Sequence, residues 1–284
     1  MAGIRFAHWV IGAAGMGVLR SWLGPDRAVV DARVADLERL LRTRDEDPLL
    51  ALELPAPEVD TVSGYAAWAG TYDVLPNPLI RVEEPAVRGL LEQAPPGRAL
   101  DAACGTGRHA AFLATRGHRV TGMDTSLAML AHARARVPQA TLAVGSLVAV
   151  PIPDASVDVA VCALALMHLP DLRPAVAELA RVLRPGGLLV LSDLHPVMLT
   201  LGGSALYQAA DGTVGRVAGW VHRHEEYVAA FTASGLEIHA CLEPLWGEEE
   251  LPMLAGPFFA LAADAMRAAF VGLPGALVWA LRRR

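Results

Sequence analysis

Residues 98–112, RALDAACGTGRHAAF, join an apolar run to a helix-like segment through two glycines, Gly105 and Gly107. Glycines at such a junction remove the Cβ atoms that would keep a ligand away from the backbone amides. The first N–H groups of the following helix are unpaired and carry partial positive charge, so the turn can bind an anionic group. Asp101 stands just before the loop, where its carboxylate can meet an ammonium group.

Asp124 lies seventeen residues after Gly107, at the end of the next predicted strand. A carboxylate at that position can accept both hydroxyls of a ribose, so the loop and the acid together predict an adenosine-bearing cofactor. The letters GTGRHA also fit the G-x-G-x-x-G/A pattern of dinucleotide-binding folds, which leaves a nicotinamide-dependent oxidoreductase as an alternative. Two observations weigh against it, since about ninety residues precede the loop and Asp101 would repel a pyrophosphate.

The elements that must position these residues follow from the pattern after residue 98, where short apolar runs alternate with helical segments. Five runs have no polar face, as in strands buried on both sides of a parallel sheet: RALDAA, HRVTGMD, ATLAVG, VDVAVCALAL and GLLVLSD. Helices are predicted near 107–116, 126–136, 171–184, 222–234 and 257–270, with further strands at LEIHACLE and ALVWALR. This alternation predicts an α/β fold with a doubly wound, mostly parallel, Rossmann-like sheet, whose ligands bind at the carboxyl ends of the strands.

The first sixty residues are predicted to form a helical extension. Residues 6–19 carry no formal charge and lie between Arg5 and Arg20, but the run is too short to span a bilayer and three glycines interrupt it. We expect a helix packed on the domain, with a loose membrane-surface contact as the alternative. Asp26 can cap a second helix, whose apolar face would consist of Val30, Val34, Leu37 and Leu41. The acidic, Pro-rich residues 45–64 are predicted to run extended as a linker.

Composition limits the partners and the compartment. The net charge of -6 argues against a nucleic-acid partner, which would require a basic surface. The three cysteines, Cys104, Cys162 and Cys241, lie far apart inside apolar runs, so we expect buried thiols in a reducing cytosol. No firm membrane partner is predicted, because charges and prolines interrupt the apolar residues 251–281.

Four segments resemble, in the right order, the successive motifs of class I S-adenosylmethionine-dependent methyltransferases: LDAACGTGRHA, VTGMDTSLAMLAHAR, VPIPDASVDVAVCALALMHLPD and ELARVLRPGGLLVLSDLHP. The resemblance covers roughly residues 60–245. It implies a seven-stranded sheet with an antiparallel last strand, here ALVWALR, in a domain of residues 61–284 that follows the extension of residues 1–60 and carries a lid segment at 194–221. It also implies an enzyme that binds S-adenosyl-L-methionine and releases S-adenosyl-L-homocysteine.

The resemblance assigns cofactor contacts residue by residue. Asp101 and the backbone of residues 103–107 would hold the amino-acid end, and Asp124 the ribose. Ser146 stands where similar enzymes often have an acid that meets the adenine amino group, so adenine recognition would fall to its hydroxyl, the Leu147 amide and packing. Tyr65, Trp68 or Tyr72 would close over the cofactor. The full predicted cofactor set is Tyr72, Asp101, Ala103, Cys104, Gly105, Thr106, Gly107, Asp124, Thr125, Met129, Ser146, Leu147, Ala163 and Leu164.

Two histidines follow strands that border the expected cleft, His168 in LMHLPD and His195 in SDLHP. Methyl transfer from a sulfonium is an in-line displacement that needs a base only if the acceptor must lose a proton. We predict both histidines as catalytic candidates; the alternative for His168 is a loop-orienting role. His222, His224 and Glu225 do not match a recognised ligand spacing, and no metal is predicted from them.

The lid segment has almost no positive charge and contains Met198, Leu201, Tyr207 and Trp220. It predicts a small, largely apolar acceptor, methylated on an O, N or C atom, in specialised natural-product metabolism. One alternative keeps the fold and cofactor but catalyses a cyclisation or rearrangement. Another is a non-catalytic binding protein on the same fold.

Overall fold

The structure is a computed structural model that describes residues 3–284. The strands are β1 (Ile4–Arg5), β2 (Glu53–Leu54), β3 (Glu58–Val59), β4 (Arg98–Ala102), β5 (Arg119–Asp124), β6 (Thr141–Val144), β7 (Val157–Ala163), β8 (Leu183–Leu194), β9 (Ala205–Gln208), β10 (Val214–Val217), β11 (Leu236–Leu242) and β12 (Ala276–Arg283). The α-helices are α1 (Phe6–Ser21), α2 (Arg27–Thr43), α3 (Thr61–Trp68), α4 (Pro78–Leu91), α5 (Arg108–Thr115), α6 (Leu127–Arg136), α7 (Arg173–Val182), α8 (Pro196–Thr200), α9 (His224–Ala233), α10 (Leu251–Ala255) and α11 (Ala263–Phe270). Two short 3₁₀ helices cover Leu166–His168 and Gly256–Leu261.

Seven strands form the central sheet in the order β11-β12-β8-β7-β4-β5-β6. The pairs β4·β5, β4·β7, β5·β6 and β7·β8 are parallel, whereas β12 is antiparallel to both of its neighbours. The predicted fold class, with ALVWALR as the antiparallel last strand, is therefore confirmed. The strand order reverses between β4 and β7, so the carboxyl ends of β4, β5 and β7 border one crevice.

The core lies between this sheet and its flanking helices. Leu100 of β4 and Leu189 of β8 are fully buried with Leu179 of α7 and Phe231 of α9. Because β4, β7 and β8 are covered by apolar groups on both faces, their sequences lack the alternation of a half-exposed strand. This packing fixes the strand ends from which the crevice is built.

Gly186 and Gly187 lie in a bulge within β8. Leu183 pairs with Val157 and Leu188 with Val159, so four residues of β8 lie opposite one residue of β7. Gly186 reaches a φ of 77°, a left-handed conformation in which a side chain would be strained.

The described chain forms two compact units. The first unit comprises residues up to 57 together with 76–82 and 245–273, and the second comprises 58–75, 83–244 and 274–284. The predicted division into an extension of residues 1–60 and a domain of residues 61–284 stays a prediction.

The first unit is built on the predicted helix at residues 6–19, which is confirmed as α1. The rings of Phe6 and Phe258 stack with their centroids 4.5 Å apart, and those of Trp9 and Phe270 lie 5.8 Å apart. Arg20 donates to the carbonyls of residues 268, 269 and 271 at the end of α11, over 2.8–3.2 Å. No helix within residues 3–284 has both the length and the apolar character needed to cross a membrane.

Two local predictions in the first unit need correction. Asp26 caps α2 as expected, accepting the Ala28 N–H at 2.9 Å, but the buried residue of α2 is Leu40, whereas Val34 and Leu41 are exposed. Residues 45–51 turn rather than run extended, and Leu50 is buried, whereas β2 and β3 are extended parts of the predicted linker. The reason is Asp47, whose carboxylate accepts the N–H groups of the residues two and three positions later.

The segment 194–221, predicted as a lid, folds within the second unit. It contains α8, β9 and β10, and β10 pairs with β9 in antiparallel and with β3 in parallel fashion. Helix α3 packs closely on this small sheet at Gly64, where a Cβ would approach Val217 Cγ2 to 2.6 Å. The small sheet therefore positions α3 and its aromatic side chains.

Candidate active site

A cavity opens in the second unit at the carboxyl ends of β4, β5 and β7. Most of the predicted site residues line it: Tyr72, Asp101, Ala103, Cys104, Gly105, Thr106, Asp124, Thr125, Ser146, Leu147, Ala163, Leu164 and His168. Gly107, Met129 and His195 belong to the predicted set but do not line it. Met129 is fully buried in α6, and Gly107 is the residue that precedes α5.

The loop between β4 and α5 is held by backbone bonds and by glycine geometry. Cys104 N–H donates to the Met123 carbonyl and Gly107 N–H to the Cys104 carbonyl, each at 2.8 Å. Gly105 has a φ of 53°, and a Cβ there would meet nothing within 4 Å, so its backbone faces open space. Gly107 has a φ of 82°, and a Cβ there would lie 3.2 Å from Ala133 Cβ. Gly105 thus allows close approach to the cavity, whereas Gly107 allows α5 and α6 to pack.

Two residues with side chains share this left-handed conformation at strand ends. Ala103, after β4, and Leu164, after β7, both have a φ of 57° and both line the cavity. L-residues with side chains adopt this region at a cost and persist there only where the surroundings enforce it. The strain therefore concentrates at the crevice.

Asp124 fixes the loop from the neighbouring strand. Its Oδ2 accepts the Gly105 N–H and its Oδ1 the Ser126 N–H, both at 2.8 Å. Burial raises the pKa of Asp124, and these two backbone bonds oppose the rise. Each carboxylate oxygen retains a lone pair, so the side chain can still accept two hydroxyl groups from the cavity.

Asp101 is a buried carboxylate with few partners that stabilise its negative charge. The residue is 2% exposed, and its carboxylate accepts one hydrogen bond, from the Ala110 N–H at 2.7 Å. Burial raises the pKa of Asp101 to about 7, and the nearby Asp124 and Glu83 also raise it. An ammonium group in the cavity would relieve this uncompensated charge, so the donor set fits the amino-acid end of the predicted cofactor.

An ion pair that sequence reasoning missed lies beside the cavity. Glu83 in α4 is fully buried, and its Oε2 lies 2.8 Å from Nη1 of Arg108, a cavity-lining residue. Burial alone would raise the pKa of Glu83, but Arg108 and His109 lower it to about 2. Glu83 also accepts a hydrogen bond from the Ser192 hydroxyl at the end of β8. The carboxylate therefore ties α4, α5 and β8 together.

Tyr72 lines the cavity, and its neighbour Asp73 links its segment to the glycine loop. The Asp73 carboxylate accepts the Thr106 hydroxyl at 3.1 Å and Nη2 of Arg136 at 2.8 Å, and Arg136 donates to Thr106 at 2.9 Å. The segment that carries Tyr72 is thereby linked to the loop and to α6.

His168 lies at the far side of the cavity in a defined tautomer. Its Nδ1 lies 2.7 Å from the Ala218 carbonyl, which can only accept, so Nδ1 carries the proton. Its Nε2 lies 2.9 Å from the Tyr65 hydroxyl, which must therefore donate to it. Burial lowers the pKa of His168 and the Ala218 bond opposes the decrease, so the ring is neutral near pH 7.

The turn that carries His168 is anchored by a second buried acid. Asp193 Oδ1 accepts the Met167 N–H at 3.1 Å, and Oδ2 accepts the Tyr227 hydroxyl at 2.6 Å. Burial raises the pKa of Asp193 to about 7. Asp193 of the segment SDLHP therefore positions His168 of the segment LMHLPD. Neither segment predicts this contact by itself.

His195 is separate from these residues. Its Nε2 lies 3.2 Å from Glu243 Oε1, and its Nδ1 accepts the Val197 N–H at 3.2 Å as the cap of α8.

Cys104 lines the cavity, but burial raises the pKa of its thiol, so it is a neutral thiol rather than a nucleophile.

Sequence reasoning missed Glu83, Arg108, Asp193 and the pairing of Tyr65 with His168. Arg108 could have been found, since it follows the second glycine of the loop directly. The other three depend on contacts between residues at least 25 positions apart.

Comparisons with known proteins agree with this geometry. A family model described as a methyltransferase domain matches residues 100–191. The malonyl-[acyl-carrier protein] O-methyltransferase of Serratia marcescens is 37% identical over 150 residues, which is 53% of this chain and 58% of that protein. A Mycolicibacterium smegmatis protein, named a probable S-adenosylmethionine-dependent methyltransferase, is 35% identical over 158 residues, or 56% of this chain and 58% of that protein. Each match thus spans less than two thirds of the relative.

A solved structure shares the fold. The S-adenosylmethionine-dependent methyltransferase from Mesorhizobium loti superposes with a TM-score of 0.55 at 24% identity, over 71% of this chain and 98% of that one. The family match covers β4 to β8, the strands that build the cavity. Residues 100–191 therefore match the methyltransferase-domain family, and the chain shares its fold with an S-adenosylmethionine-dependent methyltransferase.

Proposed function

We propose that the chain transfers a methyl group from S-adenosylmethionine to an O, N or C atom of a small, largely apolar molecule. The observation that carries this proposal is the convergence of Asp101, Asp124 and the glycine loop on one cavity at the switch point of the sheet. An uncompensated buried carboxylate suits an ammonium, and a carboxylate with free lone pairs suits a ribose. Anionic pyrophosphate, as in a nicotinamide cofactor, would be repelled by Asp101.

The chain's own residues have distinct roles in this proposal. Asp101 binds the ammonium of the cofactor, Asp124 its ribose hydroxyls, and Ser146 with Leu147 its adenine. When bound, the cofactor supplies a methyl group on a positively charged sulfur. Ala163 and Leu164 line the methionine arm and hold the backbone close to it. Tyr72, fixed through Asp73 to the loop, covers the cofactor and excludes water.

His168 accepts the proton when the methyl acceptor must lose one, and Tyr65 is its hydrogen-bond partner before the acceptor binds. The lone pair of His168 Nε2 accepts the Tyr65 hydroxyl in the resting state, because Nδ1 is committed to Ala218. An acceptor hydroxyl or amine that displaces the Tyr65 hydroxyl would donate to the same lone pair. His168 acts here as a general base, and the Ala218 carbonyl holds it in the receptive tautomer.

The lining next to Tyr65 and His168 supports an apolar acceptor. Val62 and Leu169 line the cavity there, and the ring of Tyr65 stacks on Trp68 with centroids 5.6 Å apart. Trp68, which does not itself line the cavity, also stacks on Tyr207 of the segment 194–221 at 6.0 Å. Such a wall favours apolar ligands with few polar groups. Specialised metabolism in a reducing cytosol remains our proposed setting.

Binding and turnover test the proposal separately. Calorimetric titration of the purified chain with S-adenosylmethionine, S-adenosylhomocysteine and NAD should show binding of the two sulfur compounds only. Tight binding of NAD with no response to the others would overturn the proposal. Cofactor binding without methyl release from any acceptor would favour a cyclisation, a rearrangement or a purely binding function.

Variants of His168 test which class of acceptor the chain methylates. Methyl release should be measured with a panel of phenols, amines and carboxylates, including a malonyl thioester, because the Serratia relative is named for that acceptor. A carboxylate needs no base, so His168→Gln should leave its methylation nearly unchanged. A phenol or amine should lose about 100-fold in kcat with little change in KM, as is typical when a general base is removed. Equal loss for every acceptor would contradict the role of His168 as a base.

A further inference from the structure

A second group of polar side chains lies in the second unit, outside the cavity. His195 precedes α8, His224 begins α9, and Glu243 follows β11. Among residues 3–284, these three form one group in which two imidazole nitrogens and a carboxylate oxygen all lie within 4.8 Å of one another. The proposed methyl-transfer mechanism uses none of these three side chains. His195 was predicted as a catalytic candidate, but it does not line the cavity.

The spacing of the three potential ligand atoms suits a small cation. Glu243 Oε1 lies 3.2 Å from His195 Nε2 and 2.9 Å from His224 Nε2. Zinc bonds of 2.0–2.2 Å in a tetrahedron place ligand atoms about 3.4 Å apart. Side-chain movements of a few tenths of an ångström would therefore convert the two hydrogen bonds into two edges of a coordination tetrahedron.

The surroundings combine a fixed floor with an open side. The His195 side chain is 8% exposed, and its backbone N–H donates to the Gly275 carbonyl at 3.0 Å. The His224 and Glu243 side chains are 42% and 47% exposed, so an ion can enter and water can complete its coordination. The His224 ring also packs edge-on against the buried Trp279, 6.0 Å between centroids. The neighbouring His222 is already committed to the Leu169 carbonyl at 2.8 Å.

We propose that His195, His224 and Glu243 bind one divalent transition-metal ion, with zinc the preferred occupant. Two imidazoles and one carboxylate favour zinc, cobalt and nickel over magnesium, which prefers oxygen ligands. Coordination through His195 Nε2 moves the ring proton to Nδ1, so the 3.2 Å bond from the Val197 N–H must lengthen. The ion would join the start of segment 194–221 to α9 and to the end of β11, which is a structural role.

The test uses the full chain without a histidine tag, freed of metal with a chelator. Titration with Co²⁺, followed by the visible absorption of tetrahedrally bound cobalt, should show one site per chain, and excess Zn²⁺ should displace the signal. Zn²⁺ should also raise the Tm of the wild-type chain. The variants His224→Ala and Glu243→Gln should each weaken binding about 10-fold or more and lose the rise in Tm.

His239→Ala is the matched control, because His239 is an exposed histidine on the adjoining strand β11. It should bind Co²⁺ like the wild type. Absence of a single cobalt site in the wild type would overturn the proposal. So would equal affinity in His224→Ala and wild type, since binding would then depend on other exposed histidines.

Discussion

Asp101 and Asp124 show how two identical side chains acquire different tasks within one cavity. Asp124 accepts two backbone N–H groups and keeps free lone pairs, whereas Asp101 is more deeply buried and accepts only one. Burial raises the pKa of Asp101 to about 7, and its single backbone hydrogen bond, from Ala110, offsets only part of the rise. Each acid can therefore be tested by a different measurement.

Replacing Asp124 should weaken cofactor binding, because buried ribose hydroxyls would lose a charged acceptor. A hydrogen bond to a charged group contributes about 1.5–3 kcal/mol, so Asp124→Ala should raise the Kd for S-adenosylhomocysteine roughly 10- to 100-fold. Calorimetry would measure the change, with the exposed Asp171→Ala as control. An unchanged Kd in Asp124→Ala would show that the cofactor lies elsewhere.

Asp101 should make the folded, cofactor-free chain less stable as the pH rises. The ordinary pKa of an aspartate, 3.8, applies to the unfolded chain, and burial raises the pKa of Asp101 to about 7 in the folded protein. Between about pH 4 and 7 the folded chain therefore holds a proton that the unfolded chain releases. The contribution of Asp101 to the free energy of unfolding falls as the pH rises through this window.

Urea unfolding of the cofactor-free chain at several pH values would measure this dependence. Asp101→Asn should lose part of it and retain the part due to Asp193, whose pKa is also about 7. The prediction fails if wild type and Asp101→Asn have parallel profiles from pH 5 to 8.

At the scale of elements, a few buried polar side chains determine how helices and strand ends meet around the cavity. Glu83 joins α4 to α5 and to β8, and Asp193 joins the end of β8 to the turn of His168 and to Tyr227 in α9. Buried polar groups of this kind contribute geometry as much as stability. Substitution should therefore affect both the fold and the site.

Removing one partner of the Glu83 and Arg108 pair should be strongly destabilising. Glu83→Ala leaves the buried guanidinium of Arg108 with only the more distant Glu84, at 3.6 Å, and breaking a buried pair costs about 3–5 kcal/mol. The double variant Glu83→Ala with Arg108→Ala should lose less than the sum of the single variants. A double-mutant cycle from denaturant unfolding would measure the coupling, and strict additivity would show that the pair does not interact.

At the scale of the whole chain, segments far apart in sequence share a folding unit. Residues 245–273 belong with the first 57 residues, and α1 contacts both α2 and α11. Arg20 contributes to this association by binding the carbonyls that end α11. The N-terminal helix thus depends on a segment more than 200 residues away.

Arg20→Ala should loosen this unit by leaving the last carbonyls of α11 without their donor. Hydrogen exchange should become faster in α1 and α11, by roughly 100-fold if each of the three lost bonds contributes about 1 kcal/mol. Arg27→Ala is the control, because the Arg27 side chain is 92% exposed. Unchanged exchange in Arg20→Ala would show that its three hydrogen bonds carry no stability.

Local patterns in the sequence determined much of the fold. Apolar runs located β4, β5, β6, β7 and β12, and the two glycines located the loop that faces the cavity. These predictions succeeded because strand period, helix caps and loop glycines depend on neighbouring residues. The buried face of α2 was predicted wrongly, since burial depends on what packs against a helix rather than on its own period.

The sequence by itself determined the succession of strands along the chain, the glycine loop and the placement of Asp101 and Asp124 before and after it. Only the tertiary structure paired Glu83 with Arg108 and Tyr65 with His168, and brought His195 and His224 to Glu243. Each of these pairings joins elements distant in the chain, so it depends on how helices and strand ends pack on one sheet. Chain order fixes which residues follow a strand, but packing decides which side chains can share a proton, a charge or an ion.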